Sequence, residues 1–156
     1  MGLPEIFINF QTAAVSAITR SARGVLAVAL TDGTEGGADE AVYKSLAEVP
    51  QEQFTAGNYR LLELAFLAAP SKVHVLRVGE DAELTYQALE RLRFDWLAAP
   101  GLEDATVISF IKMRRAAGRG VKAVVANATA PDCEGIVNLC VSDLVLEDGA
   151  IDAKDY

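Results

Sequence analysis

The sequence predicts an α/β fold, a mainly parallel sheet flanked by helices, preceded by an extended N-terminal arm and followed by a β-hairpin. Three observations carry this. Between Leu61 and Ala126 the stretches run helix, strand, helix, strand, helix, strand, the order of right-handed crossovers onto a parallel sheet. The best strand, Val25-Leu26-Ala27-Val28-Ala29-Leu30, is a continuous apolar run of the kind buried on both faces. The chain has 156 residues, 51% hydrophobic and 23% charged, the balance of one ordinary soluble globular domain. That excludes a disordered chain, a collagen-like repeat and a small disulfide scaffold.

Taken in order, Ile6-Phe7-Ile8-Asn9-Phe10 follows Pro4 and has the β-branched and aromatic composition of an extended segment. Thr12 to Arg23 is rich in Ala, Ser and Ile; local signals leave a short helix and a strand-like connection both open. Gly24 punctuates the chain before the strand Val25–Leu30. Thr31 to Glu40, with Asp32-Gly33 and Gly36-Gly37, reads as a mobile surface loop. Asn58 to Ala69 is an apolar helix carrying Leu61, Leu62, Leu64, Ala65, Phe66 and Leu67, stopped by Pro70. Val73–Val78 is a strand. Asp81 to Arg93 is a helix with Leu84, Ala88, Leu89 and Leu92 inward. Phe94–Ala98 is a strand in which alternation places Trp96 in the core. Asp104 is expected as N-cap of a helix to Ala117, with Val107, Ile108 and Ile111 inward and Gly118 as the C′ residue. Val121–Ala126 is the next strand, Ile136–Leu139 and Leu144–Glu147 are short ones, and Asp148-Gly149 signals a hairpin turn. The expected division is an arm and connection over residues 1–24 and an α/β domain over 25–156.

The search for chemistry returns little. A net charge of −8 repels phosphate backbones, so nucleic acid is not an expected partner. No apolar run has the length of a membrane span, and Glu5 stands where a secretory signal would carry bases. The loop after Leu30 lacks Gly-x-Gly-x-x-Gly spacing, and Asp32 and Glu35 would oppose phosphate; no Gly-x-x-x-x-Gly-Lys-Ser/Thr occurs. The one histidine, His74, lies inside a strand and reads as structural rather than as a general base. Cys133 and Cys140 read as reduced thiols, with no zinc-ligand spacing around them. Asn127-Ala128-Thr129 matches a glycosylation acceptor by accident, and Lys112-Met113-Arg114-Arg115 reads as a solvated helix end. No cofactor, metal or catalytic residue is expected.

Several ordered segments together resemble the sheath proteins of contractile phage tails, defective-phage particles and phage-tail-like bacteriocins. They begin with Pro4-Glu5-Ile6-Phe7-Ile8-Asn9-Phe10 and Arg20-Ser21-Ala22-Arg23-Gly24-Val25, and continue through Leu61–Leu67 with Pro70-Ser71-Lys72-Val73. The most specific are Leu89-Glu90-Arg91-Leu92-Arg93-Phe94-Asp95-Trp96-Leu97-Ala98-Ala99-Pro100-Gly101 and Val121–Ala128, with Glu134-Gly135-Ile136-Val137-Asn138 completing the set. The resemblance covers nearly the whole chain and is strongest to the shorter sheath proteins of Gram-positive bacteria and their phages.

What the resemblance implies is structural rather than enzymatic. Such subunits form stacked hexameric rings around an inner tail tube, joined to a baseplate, and contract to drive the tube through a cell envelope. The particle is assembled in the bacterial cytoplasm, without nucleic acid or membrane insertion. An N-terminal arm adds a strand to a neighbouring subunit, and here Ile6, Phe7, Ile8 and Phe10 occupy that position. Family members are considerably longer, so the chain is expected to be the N-terminal portion, mainly monomeric and unable to form sheath by itself. The rival expectations are a small α/β nucleotide- or ligand-binding enzyme domain and a soluble adaptor that uses its sheet edge.

Overall fold

The computed structural model describes residues 24–126 and 133–140, together with the strand backbones of 144–146 and 149–151. Five strands run parallel: β1 (Val25–Leu30), β3 (Lys72–Arg77), β4 (Trp96–Ala98), β5 (Lys122–Val125) and β6 (Ile136–Asn138). An antiparallel edge strand, β2 (Glu40–Tyr43), pairs with β3, giving the order β2-β3-β1-β4-β5-β6. In chain order the parallel strands therefore lie 2-1-3-4-5, a doubly wound arrangement. The hairpin of β7 (Leu144–Leu146) and β8 (Gly149–Ile151) also forms, and pairing Leu146 with Gly149 makes Gly149 a strand residue.

The order fixes the layers. From β1 the chain moves outward to β3 through helix α1 (Ala56–Leu67). It then crosses back over β1 through α2 (Ala82–Arg91) to β4, and on through α3 (Asp104–Ala116) to β5. Right-handed crossovers in opposite directions put α1 on one face and α2 with α3 on the other. The core divides accordingly. Leu62 of α1 packs with Val28, Leu30, Val73, Val75, Tyr43 and Phe54. On the other face Tyr86, Leu89, Val107, Ile108, Phe110 and Ile111 cover Leu76, Leu97 and Val125, with the small side chains Ala27, Ala29 and Ala123 letting the helices approach.

The helix ends follow their caps. The Asp81 carboxylate accepts from Glu83 N at 3.0 Å, and Thr55 Oγ1 accepts from Asn58 N at 3.4 Å. At α3 the cap is Glu103, one residue before the expected Asp104. Gly118 ends that helix at φ +78°, a left-handed conformation that a Cβ disfavours.

Two inward assignments change, those of Leu84 and Trp96. In α2 the buried residues are Thr85, Tyr86 and Leu89, while Leu84 is 62% exposed. The helix is rotated so that the larger Tyr86 ring meets Phe110, centroids 5.2 Å apart. Burial pushes the Tyr86 phenol up to about 12, with Glu103 and Glu83 adding to the shift. In α1 only Leu62 is fully buried, and Leu67 at the helix end lies open. Trp96 is 37% exposed rather than core. β4 begins at Trp96, so Phe94 does not alternate with it. Trp96 faces the side where α1 reaches only β1 to β3, whereas Leu97 points under α2 and α3.

Candidate functional site

In a doubly wound sheet the ligand crevice lies beyond the carboxyl ends of the strands, where the strand order reverses. Here that place is between β1 and β4, whose following loops start at Thr31 and Ala99. The two loops close on each other. Gly101 N donates to Ala29 O at 3.1 Å, and a Cβ built on Gly101 would lie 2.8 Å from Thr31 N. Among the described residues the two loops are thus in backbone contact at the switch point, and a side chain at position 101 would meet the Thr31 backbone.

Next to it the loop after β1 is tied down rather than mobile. The Asp32 carboxylate accepts from Thr34 N and Thr55 N, both at 2.9 Å, from Asn58 Nδ2 at 2.7 Å and from Thr55 Oγ1 at 3.3 Å. Asn58 Nδ2 also donates to Thr31 O at 2.9 Å. Partial burial raises the Asp32 carboxyl, but the hydrogen bonds from Asn58, Thr34 and Thr55 outweigh it and hold the group well below the usual carboxylate range. Arg77, at the end of β3, lies over the Phe54 ring at 5.1 Å and donates to Thr34 O and Gln53 O. The acid and the base are both spent on fixing loop to sheet. Sequence reasoning missed this role of Asp32; the signal was an aspartate ending a strand, opposite a Thr-x-x-Asn helix start.

His74 is 5% exposed, and neither ring nitrogen has a hydrogen-bond partner. Burial, then Lys72, lower its pKa, and Glu40 acts in the opposite sense. It is a buried neutral ring on a strand between β1 and β2, not a proton shuttle beside a nucleophile. The sign of its pH effect follows. The unfolded chain takes up a proton below about pH 6.5 that the folded chain resists, so stability falls as pH drops through that value. We expect loss of about 1 kcal/mol per pH unit just below it, and a flatter profile for His74→Leu, measured by urea unfolding between pH 7.5 and 5. Identical slopes for the two proteins would contradict this.

At the opposite, amino-terminal edge of the sheet lie two open grooves. One, about 560 Å³, is lined by Lys112, Arg115, Arg119, Cys133 and Glu134. Arg115 is not solvated: it bonds Val121 O at 3.2 Å and pairs with Glu134, while Arg114 reaches Leu92 O and lies 5.9 Å from the Phe110 ring centre. The other, about 420 Å³, is apolar and runs from Val25, Leu26 and Trp96 to Leu67, Ala69 and Pro70. Lys122 Nζ sits 5.0 Å from the Trp96 ring centre at its rim. Among the described residues no group of three or more His, Cys, Asp or Glu side chains gathers as a metal site, and no helix is long and apolar enough to cross a membrane. Ile6, Phe7, Ile8 and Phe10, the residues expected in an inter-subunit arm, lie outside the described residues, as does Asn127-Ala128-Thr129.

Among the described residues these features define a doubly wound α/β domain whose loops after β1 and β4 approach each other closely at the switch point, with open grooves at both edges of the sheet. The chain is similar to the tail sheath protein of Clostridium phage phiCD119, 30% identical over 172 aligned residues that take in 99% of this chain and 46% of that protein. The similarity supports a tail sheath family relationship, along a chain that spans about half the length of the curated relative it matches. No family model matches the chain.

Proposed function

We propose that the chain is part of a structural subunit of a contractile phage tail sheath, acting by assembly and not as an enzyme. The observation that carries this is the 30% identity to a phage tail sheath protein across 99% of the chain. In this reading residues 25–156 form a rigid α/β body and residues 1–24 an arm and its connection. Ile6, Phe7, Ile8 and Phe10 add a strand to a neighbour, with backbone hydrogen bonds supplying affinity and alternate side chains specificity. The partners are other sheath subunits in hexameric rings, the inner tube and the baseplate, and the location is the tail of a phage, a defective phage or a bacteriocin particle. Contraction draws on interfaces better satisfied in one lattice than another, a bistable arrangement that needs no nucleotide.

The strand order by itself favours the rival, a nucleotide- or ligand-binding domain, since this order often carries such a site. The close approach of Gly101 to Thr31 at that place, and the engagement of Asp32 by Thr55 and Asn58 at the start of α1, support the structural reading instead. The test is negative-stain electron microscopy of the complete reading frame expressed with its tube protein. Striated sleeves are expected, and their loss when Ile6 and Ile8 are both changed to Asp. Sleeves unaltered by that change would remove the arm assignment. Uniform small particles from the unmodified protein, together with a specific thermal shift on adding a nucleotide, would favour the rival.

A further inference from the structure

The unengaged charges of this domain lean to opposite ends: at the amino edge Asp95 accepts from Val25 N at 2.7 Å and Glu134 pairs with Arg115, so those acids are already engaged. At the carboxyl edge of the sheet, Asp39, Glu40, Glu80 and Asp81 line one groove around Leu84, with Glu83 beside it. Leu84 is 62% exposed in the middle of these acids. The base at this edge, Arg77, is engaged by Thr34 and Gln53. Helix starts favour acids, which accounts for Asp81 and Glu83. It does not account for Asp39, Glu40 and Glu80, which precede β2 and α2 or begin β2.

The amino edge carries the reverse. Its apolar groove exposes Trp96 and Leu67, the latter to 79%, and bases stand around that edge: Lys122 against Trp96, Lys72 starting β3, and Arg93 before β4. Among the described residues α1 reaches only β1 to β3 on this face, and Ala98 and Val124 beyond it are only partly buried and Val137 is 39% exposed. Parallel strands buried on both faces are the rule, so an apolar groove left open beside half a sheet face calls for a cover.

We propose that the amino-edge groove docks the carboxyl edge of a second copy of this chain, with Leu84 of one copy set against Trp96 and Leu67 of the next. The occupant is argued from charge complementarity. The chain carries −8 overall, so copies repel in most orientations, and acid edge to basic edge is the approach in which both the charges and the exposed apolar side chains match. Because the two surfaces lie at opposite ends of one sheet, the contact is head-to-tail, so it continues from copy to copy as a row or a ring, as the rotation between copies dictates, rather than stopping at an isologous dimer. Each contact is weak alone and adds through repetition. The proposal deepens the assembly reading above and rests on it, by naming the surfaces through which successive subunits meet.

The test is analytical ultracentrifugation of the 156-residue chain. In low salt, the weight-average mass rises above 16.6 kDa as concentration approaches the millimolar range, with association roughly tenfold weaker at high salt. Two variants reverse one end each: Lys122→Glu with Arg93→Glu, and Asp39→Lys with Glu80→Lys. Each alone stays monomeric, with a melting curve that shows it folded; mixed together they associate again, since opposite edges once more carry opposite charge. A wild-type chain monomeric at every concentration in low salt, association that survives reversal of one end, or a mixture that stays monomeric would each overturn the contact. Sleeves formed by a complete reading frame carrying the reversed charges would also sink it while leaving the assembly reading intact. Absence of sleeves from the unmodified frame with its tube counts against the assembly reading itself.

Discussion

Leu97→Ala lowers stability by about 2–5 kcal/mol, among the large single-residue effects expected in the domain. Leu97 is fully buried in β4, an interior strand of the sheet, paired with Ala27 on one side and Ala123 on the other. Those neighbours are alanines, so no large side chain in the same row can lean into the space. Its cover comes from residues of α2 and α3 that are already at close packing. The cavity therefore stays open, and the cost includes the lost transfer energy and the lost contacts. Against a total stability of about 5–15 kcal/mol this is a large share, and the melting temperature drops by roughly 10 °C. The control is the residue before it. Trp96→Ala removes a bigger side chain from the same strand, yet its ring is 37% exposed and faces the open groove, so the loss is below about 1 kcal/mol. Urea unfolding of the two variants decides the matter. Equal losses would mean that Trp96 is core after all.

That contrast shows what the sequence discloses and what it does not. The elements were legible, because they rest on local chemistry: the apolar run Val25–Leu30 is the strand residue for residue, and Asp81, Pro70 and Gly118 mark ends by rules that act within one turn. The layers followed from alternation of elements. Facing was less legible. Trp96 and Leu84 were assigned inward from local spacing, but their exposure depends on how far α1 extends over the sheet and on how α2 turns to seat Tyr86 against Phe110. Both are properties of the packed assembly. β2 carries no strong periodic signal, since its residues Glu40 and Val42 are exposed and it is held as an edge by pairing with β3. The switch point was half legible: the missing glycine pattern argued against phosphate, but nothing local shows that Gly101 would meet Thr31 across 70 residues of chain.

The same limit hid Asp32, whose removal is expected to cost about 1.5–3 kcal/mol. In sequence it is an acid in a glycine-rich loop; in the fold it joins the end of β1 to the start of α1 by accepting from Thr34, Thr55 and Asn58. Asp32→Ala leaves those donors to water and frees both the loop and the helix start, so amide exchange should quicken at residues 55–58 before it does in β3. Asp32→Asn keeps the shape but loses the charge-assisted part of each bond, and sits between the two in stability. The pH dependence separates charge from shape. The carboxyl is held below its usual range by those hydrogen bonds, which outweigh the effect of burial. The unfolded chain therefore binds the proton first as pH falls. The stabilisation from the charge is complete above about pH 4 and is lost progressively below it, toward the lowered folded-state value. The gap between wild type and Asp32→Asn is thus full at pH 7 and narrows as urea unfolding is carried down to pH 3. A gap independent of pH would show that Asp32 acts by shape alone, and that the loop beside the switch point is held by Arg77 and Asn58 rather than by the carboxylate between them.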